Sequence, residues 1–160
     1  MNIFLLDYDI HKCARAMCDK HIVKMPTEYV QILSTVCRES GLPIGYKSTH
    51  VNHPCVKWAG ESVDNYLFLY ALAGAIGREY SFRYTGKIHK SIIMLYQHLP
   101  VMPAFLPDIL QTPFPLCMPD KYKLDDPVES YRAYYRSEKK AFAAWTNRPV
   151  PKWFSTSEIF

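Results

Sequence analysis

Apolar residues recur along positions 10–39 with helical spacing: Ile22, Met25, Tyr29, Ile32, Leu33 and Val36 share one face of a helical wheel, and Lys20, Lys24, Glu28, Gln31 and Thr35 fall on the other, with His21 at the edge. Pro26 interrupts that pattern and predicts a kink or a restart there, because an interior proline costs a helix about 3 kcal/mol. A second helical block opens at Pro54, a suitable first position, and is predicted to run to about Tyr84. Its centre, residues 66–77, is apolar all round, the pattern of a helix buried among others. A third helix is predicted over Lys87–Leu99. Pro100, Pro103, Pro107, Pro113, Pro115 and Pro119 then exclude regular structure to about Asp125. Asp126, Pro127 and Glu129 form a helix start, and that helix is predicted to reach about Trp145. Alternation with a period of two is nearly absent, so the expected class is all-α, with four or five helices and at most a short strand at residues 1–6.

At 160 residues and 18.6 kDa the chain suits one domain. Residues 100–127 would form its long connection and residues 147–160 an extended tail. Apolar residues at 49% and charged residues at 21% exclude a disordered chain. The longest uncharged central stretch falls short of the roughly 20 residues of a bilayer span, and the first residues lack the basic start of a secretory signal. No membrane association is expected. Five cysteines form an odd set without framework spacing, which predicts reduced thiols in a cytoplasmic protein.

The net charge of +4 is unevenly placed: residues 41–100 carry six Lys and Arg against three Asp and Glu, whereas the flanking segments nearly balance. Arg83, Tyr84, Lys87, His89 and Lys90 form the densest basic cluster, interleaved with Tyr80 and Phe82. Cations beside aromatic rings suit backbone phosphates and unstacked bases, although a charged turn between helices has the same composition. Lys139, Lys140, Arg148 and Lys152, with Trp145 and Trp153, extend this surface or close the core.

The segment from Cys18 to Glu28 is the richest in chemistry. His21, Lys24 and Glu28 stand three and seven positions apart, so one helical face carries an imidazole, a cation and a carboxylate. A carboxylate flanked by cations holds a phosphate-rich substrate while remaining available for proton transfer. The alternative is a solvated face with a Lys24–Glu28 pair worth a few tenths of a kcal/mol. Zinc is the competing chemistry. Cys13, Cys18 and His21, then His50, His53 and Cys55, offer ligand types in two groups, but their spacings fit no standard finger. No metal and no cofactor is therefore assigned. Cys37 and Cys117 read as packing residues. A Cys18–His21 or Cys55–His53 nucleophile pair lacks an orienting third group.

Asp19-x-His21 followed by Glu28 resembles the first helix of the small all-α pyrimidine-dimer DNA glycosylases of bacteriophages, also called endonuclease V. His53 with the long helix ending in Tyr80-Ser81-Phe82, and Asn147-Arg148-Pro149 with Trp153-Phe154, are similar to two further stretches of that family. The resemblance spans about half of the chain and leaves residues 100–127 without a counterpart. The chain also looks like a set of phage proteins sharing its Cys-Asp-Lys-His and Asn-His-Pro-Cys elements. For a phage protein the expected compartment is the host cytoplasm.

The resemblance implies a glycosylase and abasic-site lyase whose nucleophile is the backbone amine at the start of the chain, with Glu28 as the carboxylate. Such an amine has a pKa of about 7.7–8.0 against about 10.4 for lysine, so near neutrality its reactive fraction is a few hundred times larger. Asn2 is bulky enough to hinder methionine removal, which would leave the amine on Met1; removal would transfer it to Asn2. In this reading His21 positions a phosphate or sugar, Lys20 and Lys24 contact the DNA backbone, and His53, Arg83, Tyr84, His89 and Lys90 are secondary binding candidates. The sequence leaves open a non-catalytic nucleic-acid- or protein-binding module and an enzyme acting on a nucleotide or modified base. It does not specify the oligomeric state.

Overall fold

A computed structural model describes residues 1–155 of the chain. Seven α-helices and one 3-10 turn make up its regular structure, and no strand occurs among the described residues. In chain order the helices are α1 (Ile10–Ala16), α2 (Asp19–Glu39), α3 (Pro54–Glu61), α4 (Val63–Arg83), α5 (Lys90–His98), α6 (Pro127–Glu138) and α7 (Lys152–Ser155). The all-α expectation holds, but the expected count of four or five is too low. Two predicted helices are each divided, and the tail contributes an extra turn.

The first division falls at Met17-Cys18 and not at Pro26. Cys18 is extended, and the groups freed by the break are satisfied from the C-terminal region. Cys18 N–H donates to the Tyr135 hydroxyl at 2.9 Å, Asp19 N–H to the Ala144 carbonyl at 2.8 Å, and the Trp145 indole N–H to the Ala16 carbonyl at 2.9 Å. Helix α2 runs through Pro26 because the stripe Ile22, Met25, Tyr29, Ile32, Leu33 and Val36 is almost wholly buried. Burying six such side chains outweighs the cost of one interior proline.

The second division is at Ser62, which is extended and accepts the Asn65 N–H on its hydroxyl at 3.0 Å. Asn65 in turn donates to the Trp58 carbonyl at 2.7 Å, stitching the end of α3 to the start of α4. Helix α4 is the central element and packs on α1, α2, α3 and α5. At Gly77 an added Cβ would lie 2.6 Å from Ile92, so glycine is what lets α5 approach.

The last two predicted helices are shorter than expected. α5 begins at Lys90 because His89 is its N-cap, accepting the Ser91 N–H on Nδ1. α6 ends at Glu138, so that Ala144 and Trp145 can seal the break between α1 and α2. The Pro-rich connection holds only the 3-10 turn Asp120–Tyr122. In the tail, the expected extended course gives way to one helical turn, α7, and residues 156–160 lie outside the described residues.

Residues 1–6 carry no regular structure, and Ile3 to Leu6 are buried. They lie along α2: Phe4 N–H donates to the Tyr29 hydroxyl at 3.0 Å and its ring stacks on His21, with centroids 4.4 Å apart. No helix among the described residues is long and apolar enough to cross a membrane, and all five cysteines are free thiols.

Candidate active site

The way residues 1–6 lie on α2 determines where the chain starts. Phe4 meets His21, and three residues earlier the Met1 amine meets Glu28, its nitrogen 4.0 Å from Oε2. His21 and Glu28 are seven helical positions apart, about 10.5 Å of rise, a span three residues cover when the chain is extended. The Met1 side chain is only 4% exposed whereas the residue as a whole is half-buried, so its remaining exposure belongs to the main chain that carries the amine. Asn2 anchors the next position. Its Nδ2 donates to the Cys117 carbonyl at 2.8 Å, and its Oδ1 accepts from the Tyr131 hydroxyl at 3.1 Å.

Glu28 is 16% exposed and also pairs through Oε1 with Lys24 Nζ at 3.0 Å. The expected Lys24–Glu28 pairing is therefore present, and the terminal amine joins it. His53 stands in the same electrostatic neighbourhood. Burial lowers its imidazole pKa, the charges of the amine and His50 act in the same sense, and Glu28 opposes them. Its Nδ1 accepts the Cys55 N–H at 3.1 Å, capping α3.

His21 shares the face of Glu28 but is covered. Its ring lies between Phe4, Tyr135 and Phe142, and Nδ1 is 2.7 Å from the Tyr135 hydroxyl. Burial, and then the charges of Lys139, Lys24 and Lys20, push its pKa down to about 3, so the ring is neutral near pH 7 and offers no charge to a phosphate. Its place is in the wall behind the site. Lys20 is exposed, with Nζ 4.4 Å from the centre of the Phe142 ring.

The basic cluster separates into structural and surface members. Arg83 has a fully buried side chain that donates to Glu79 at 2.9 Å, Asp19 at 3.0 Å and the Arg15 carbonyl at 3.0 Å, which removes it from any DNA-facing surface. Arg148 completes this network with two hydrogen bonds to Glu79. Burial alone would raise the Asp19 and Glu79 pKa values. Thr146 and Arg83 hold Asp19 low, and Arg148 and Arg83 hold Glu79 low. Asp19 and Arg148, two residues of the family resemblance, thus belong to the scaffold that joins α1, α2, α4 and the tail.

His89 donates from Nε2 to the Val23 carbonyl at 3.0 Å while capping α5, so both ring nitrogens are engaged. Tyr84 is half-buried against Tyr80. Lys87 and Lys90 remain exposed. They border an open cleft of about 600 Å³ lined also by Thr27, Tyr46, Tyr80 and Ser91. Thr27 precedes Glu28 on α2, and its hydroxyl is 2.9 Å from that of Ser91, which is itself 3.0 Å from the Tyr46 hydroxyl. Thr27, Tyr46 and Ser91 were invisible to charge-based reasoning because no local pattern links residues 27, 46 and 91.

The two groupings weighed as competing zinc sites do not assemble as groups. Cys13 lies in the core, with Sγ donating to the Phe4 carbonyl and accepting from Leu6 N–H, while His50 is exposed and its ring nitrogen faces the Thr49 hydroxyl. Cys117, expected only to pack, instead meets Cys55 with sulfurs 3.6 Å apart. The contact between the two thiols lowers the pKa of Cys117 and raises that of Cys55.

Residues 1–86 match the family described as pyrimidine dimer DNA glycosylase, a stretch that takes in α1 to α4, Met1, Glu28 and His53. Searches of curated proteins and of solved structures each returned no match. With more than half of its length matched, the chain belongs to the pyrimidine dimer DNA glycosylase family.

Proposed function

We propose that the protein is a DNA glycosylase and abasic-site lyase acting at damaged or modified pyrimidines, with the Met1 amine as nucleophile and Glu28 as the proton-transfer group. The observation that carries this reading is the 4.0 Å separation between that amine and Glu28 Oε2, with the methionine side chain packed away behind it. A neutral amine attacks the sugar C1′, the bond to the base breaks, and the base leaves with a proton. The sugar ring opens to a Schiff base on the Met1 nitrogen. Glu28 then accepts the C2′ proton, and the released electron pair expels the 3′ phosphate, cutting the strand.

Among the candidates from the sequence, Lys20, Lys24, Lys87 and Lys90 are exposed and available to backbone phosphates, and their contribution is sequence-independent. The cleft beside Thr27 offers hydroxyl groups and the Tyr80 ring to a nucleotide taken out of the stack, as enzymes working at C1′ require. His53, close enough to feel both the amine and Glu28, orients the substrate sugar or its phosphate.

Borohydride reduction in the presence of abasic-site DNA tests the reading. The expected product is a covalent adduct that peptide mapping locates on the Met1 nitrogen, with the intact mass of the free protein establishing that Met1 is retained. Glu28→Gln should lower strand cleavage by about 10²–10⁴-fold. Absence of an adduct, or an adduct found only on a lysine, overturns the proposal; salt-sensitive binding without any adduct would make the protein a binding module.

A further inference from the structure

We propose that His53, Cys55 and Cys117 form a three-ligand site for a zinc-class divalent metal ion. Among the described residues, the ligand atoms of these three side chains all lie within 4.8 Å of one another. The two sulfurs are 3.6 Å apart. Two thiolates on a tetrahedral zinc ion, with Zn–S near 2.3 Å, stand about 3.8 Å apart, and a sulfur and an imidazole nitrogen about 3.6 Å apart. The sulfur pair therefore already has the edge length of a zinc tetrahedron, and the imidazole needs only a small closing movement. A disulfide would require the same sulfurs to move to about 2.05 Å.

The three ligands are held by independent supports. Cys55 is fully buried in the first turn of α3, and His53 is the N-cap of that helix. Cys117 comes from the Pro-rich connection, where its carbonyl accepts from Asn2 Nδ2 at 2.8 Å and its N–H donates to the Tyr131 hydroxyl at 3.4 Å. His53 and Cys117 are half-buried, so an ion can enter from their side. Binding asks His53 to release the Cys55 N–H it now accepts, since a ligating ring either uses that Nδ1 lone pair or protonates it. Two cysteines and one histidine supply the soft donors that favour zinc over magnesium or calcium, and three protein ligands leave a fourth position for water. The bound ion would tie α3 to the connection, two segments 62 positions apart at Cys55 and Cys117. Metal binding requires no lyase chemistry, but a ligating His53 would be held away from the substrate-orienting role proposed for it.

Cobalt(II) titration of the full-length reduced protein, after chelator treatment, is the test. One equivalent should bind and produce sulfur-to-cobalt charge-transfer absorption with the strong visible bands of tetrahedral cobalt, and zinc should abolish them by displacement. Zinc should also protect Cys55 and Cys117 from alkylation while all five thiols react in the unfolded chain. Cys117→Ser should weaken binding by more than about 100-fold, beyond the loss typical of an outer-shell partner, whereas Cys37→Ala should bind as the parent does. If the parent protein has five free thiols and develops no cobalt bands, or if the bands survive unchanged in both Cys117→Ser and His53→Ala, the proposal is wrong. Formation of a Cys55–Cys117 disulfide in air, with no metal taken up by the reduced protein, would equally overturn it.

Discussion

The hydroxyl of Tyr135 lies 2.7 Å from Nδ1 of His21, joining α6 to α2 through a buried pair 114 positions apart. The same oxygen accepts the Cys18 N–H at 2.9 Å, so it serves at once the division between α1 and α2 and the imidazole behind the candidate active site. Tyr135→Phe removes both interactions and leaves a buried donor without a partner. The expected loss is about 1–3 kcal/mol of folding stability, read from the denaturation midpoint at unchanged m-value.

The buried imidazole also predicts a pH dependence. Its folded pKa is lowered to about 3 from an ordinary 6.5, so below about pH 6.5 the unfolded chain takes up a proton that the folded chain refuses. The contribution is complete above about pH 6.5 and is lost as pH falls toward 3, with a slope approaching about 1.4 kcal/mol per pH unit. Chemical denaturation between pH 7 and about 4.5 should therefore be markedly flatter in His21→Gln than in the parent.

Arg83 and the exposed lysines should separate in mutagenesis. Glu79 is 5% exposed and the Arg83 side chain is fully buried, so Glu79→Ala breaks a buried ion pair that Arg148 shares, leaves Asp19 as the carboxylate on Arg83, and should cost about 3 kcal/mol. Lys87→Ala and Lys90→Ala should leave the melting temperature unchanged, and each should reduce the salt slope of DNA binding by about 1. A stable Arg83→Met variant with a reduced salt slope would contradict this division.

Asn2, next to the proposed nucleophile, is held by Cys117 and Tyr131. Asn2→Ala should cost only about 1 kcal/mol of stability. Yet it should slow single-turnover strand cleavage by about 10–100-fold, because a misplacement near 1 Å is expensive at a reacting atom. Borohydride trapping at long times should still yield the Met1 adduct, which distinguishes a positioning role from loss of the nucleophile.

Helical periodicity made α2 legible and a long apolar run made α4 so, and the Asp126-Pro127 start of α6 follows from local capping chemistry. The Ser62-Asn65 cap was also written locally, but the apolar run after it masked the signal. Interruption at Met17-Cys18 was not legible, because its hydrogen-bond partners come from residues 135–145, and no local rule sees them. The site divides in the same way. Lys24 with Glu28 follows from an i, i+4 spacing, whereas the burial of His21 and Arg83 depends on Phe4, Tyr135 and Arg148 arriving from distant segments.

Because Ile3 to Leu6 are walled in and Asn2 is pinned, an affinity tag fused ahead of Met1 would have to start at the amine that faces Glu28. Such a fusion would turn the amine into an amide and crowd Glu28, so a purified protein could look folded and yet be inert. Preparations with a free amine on Met1 are the ones in which the proposed activity should be sought.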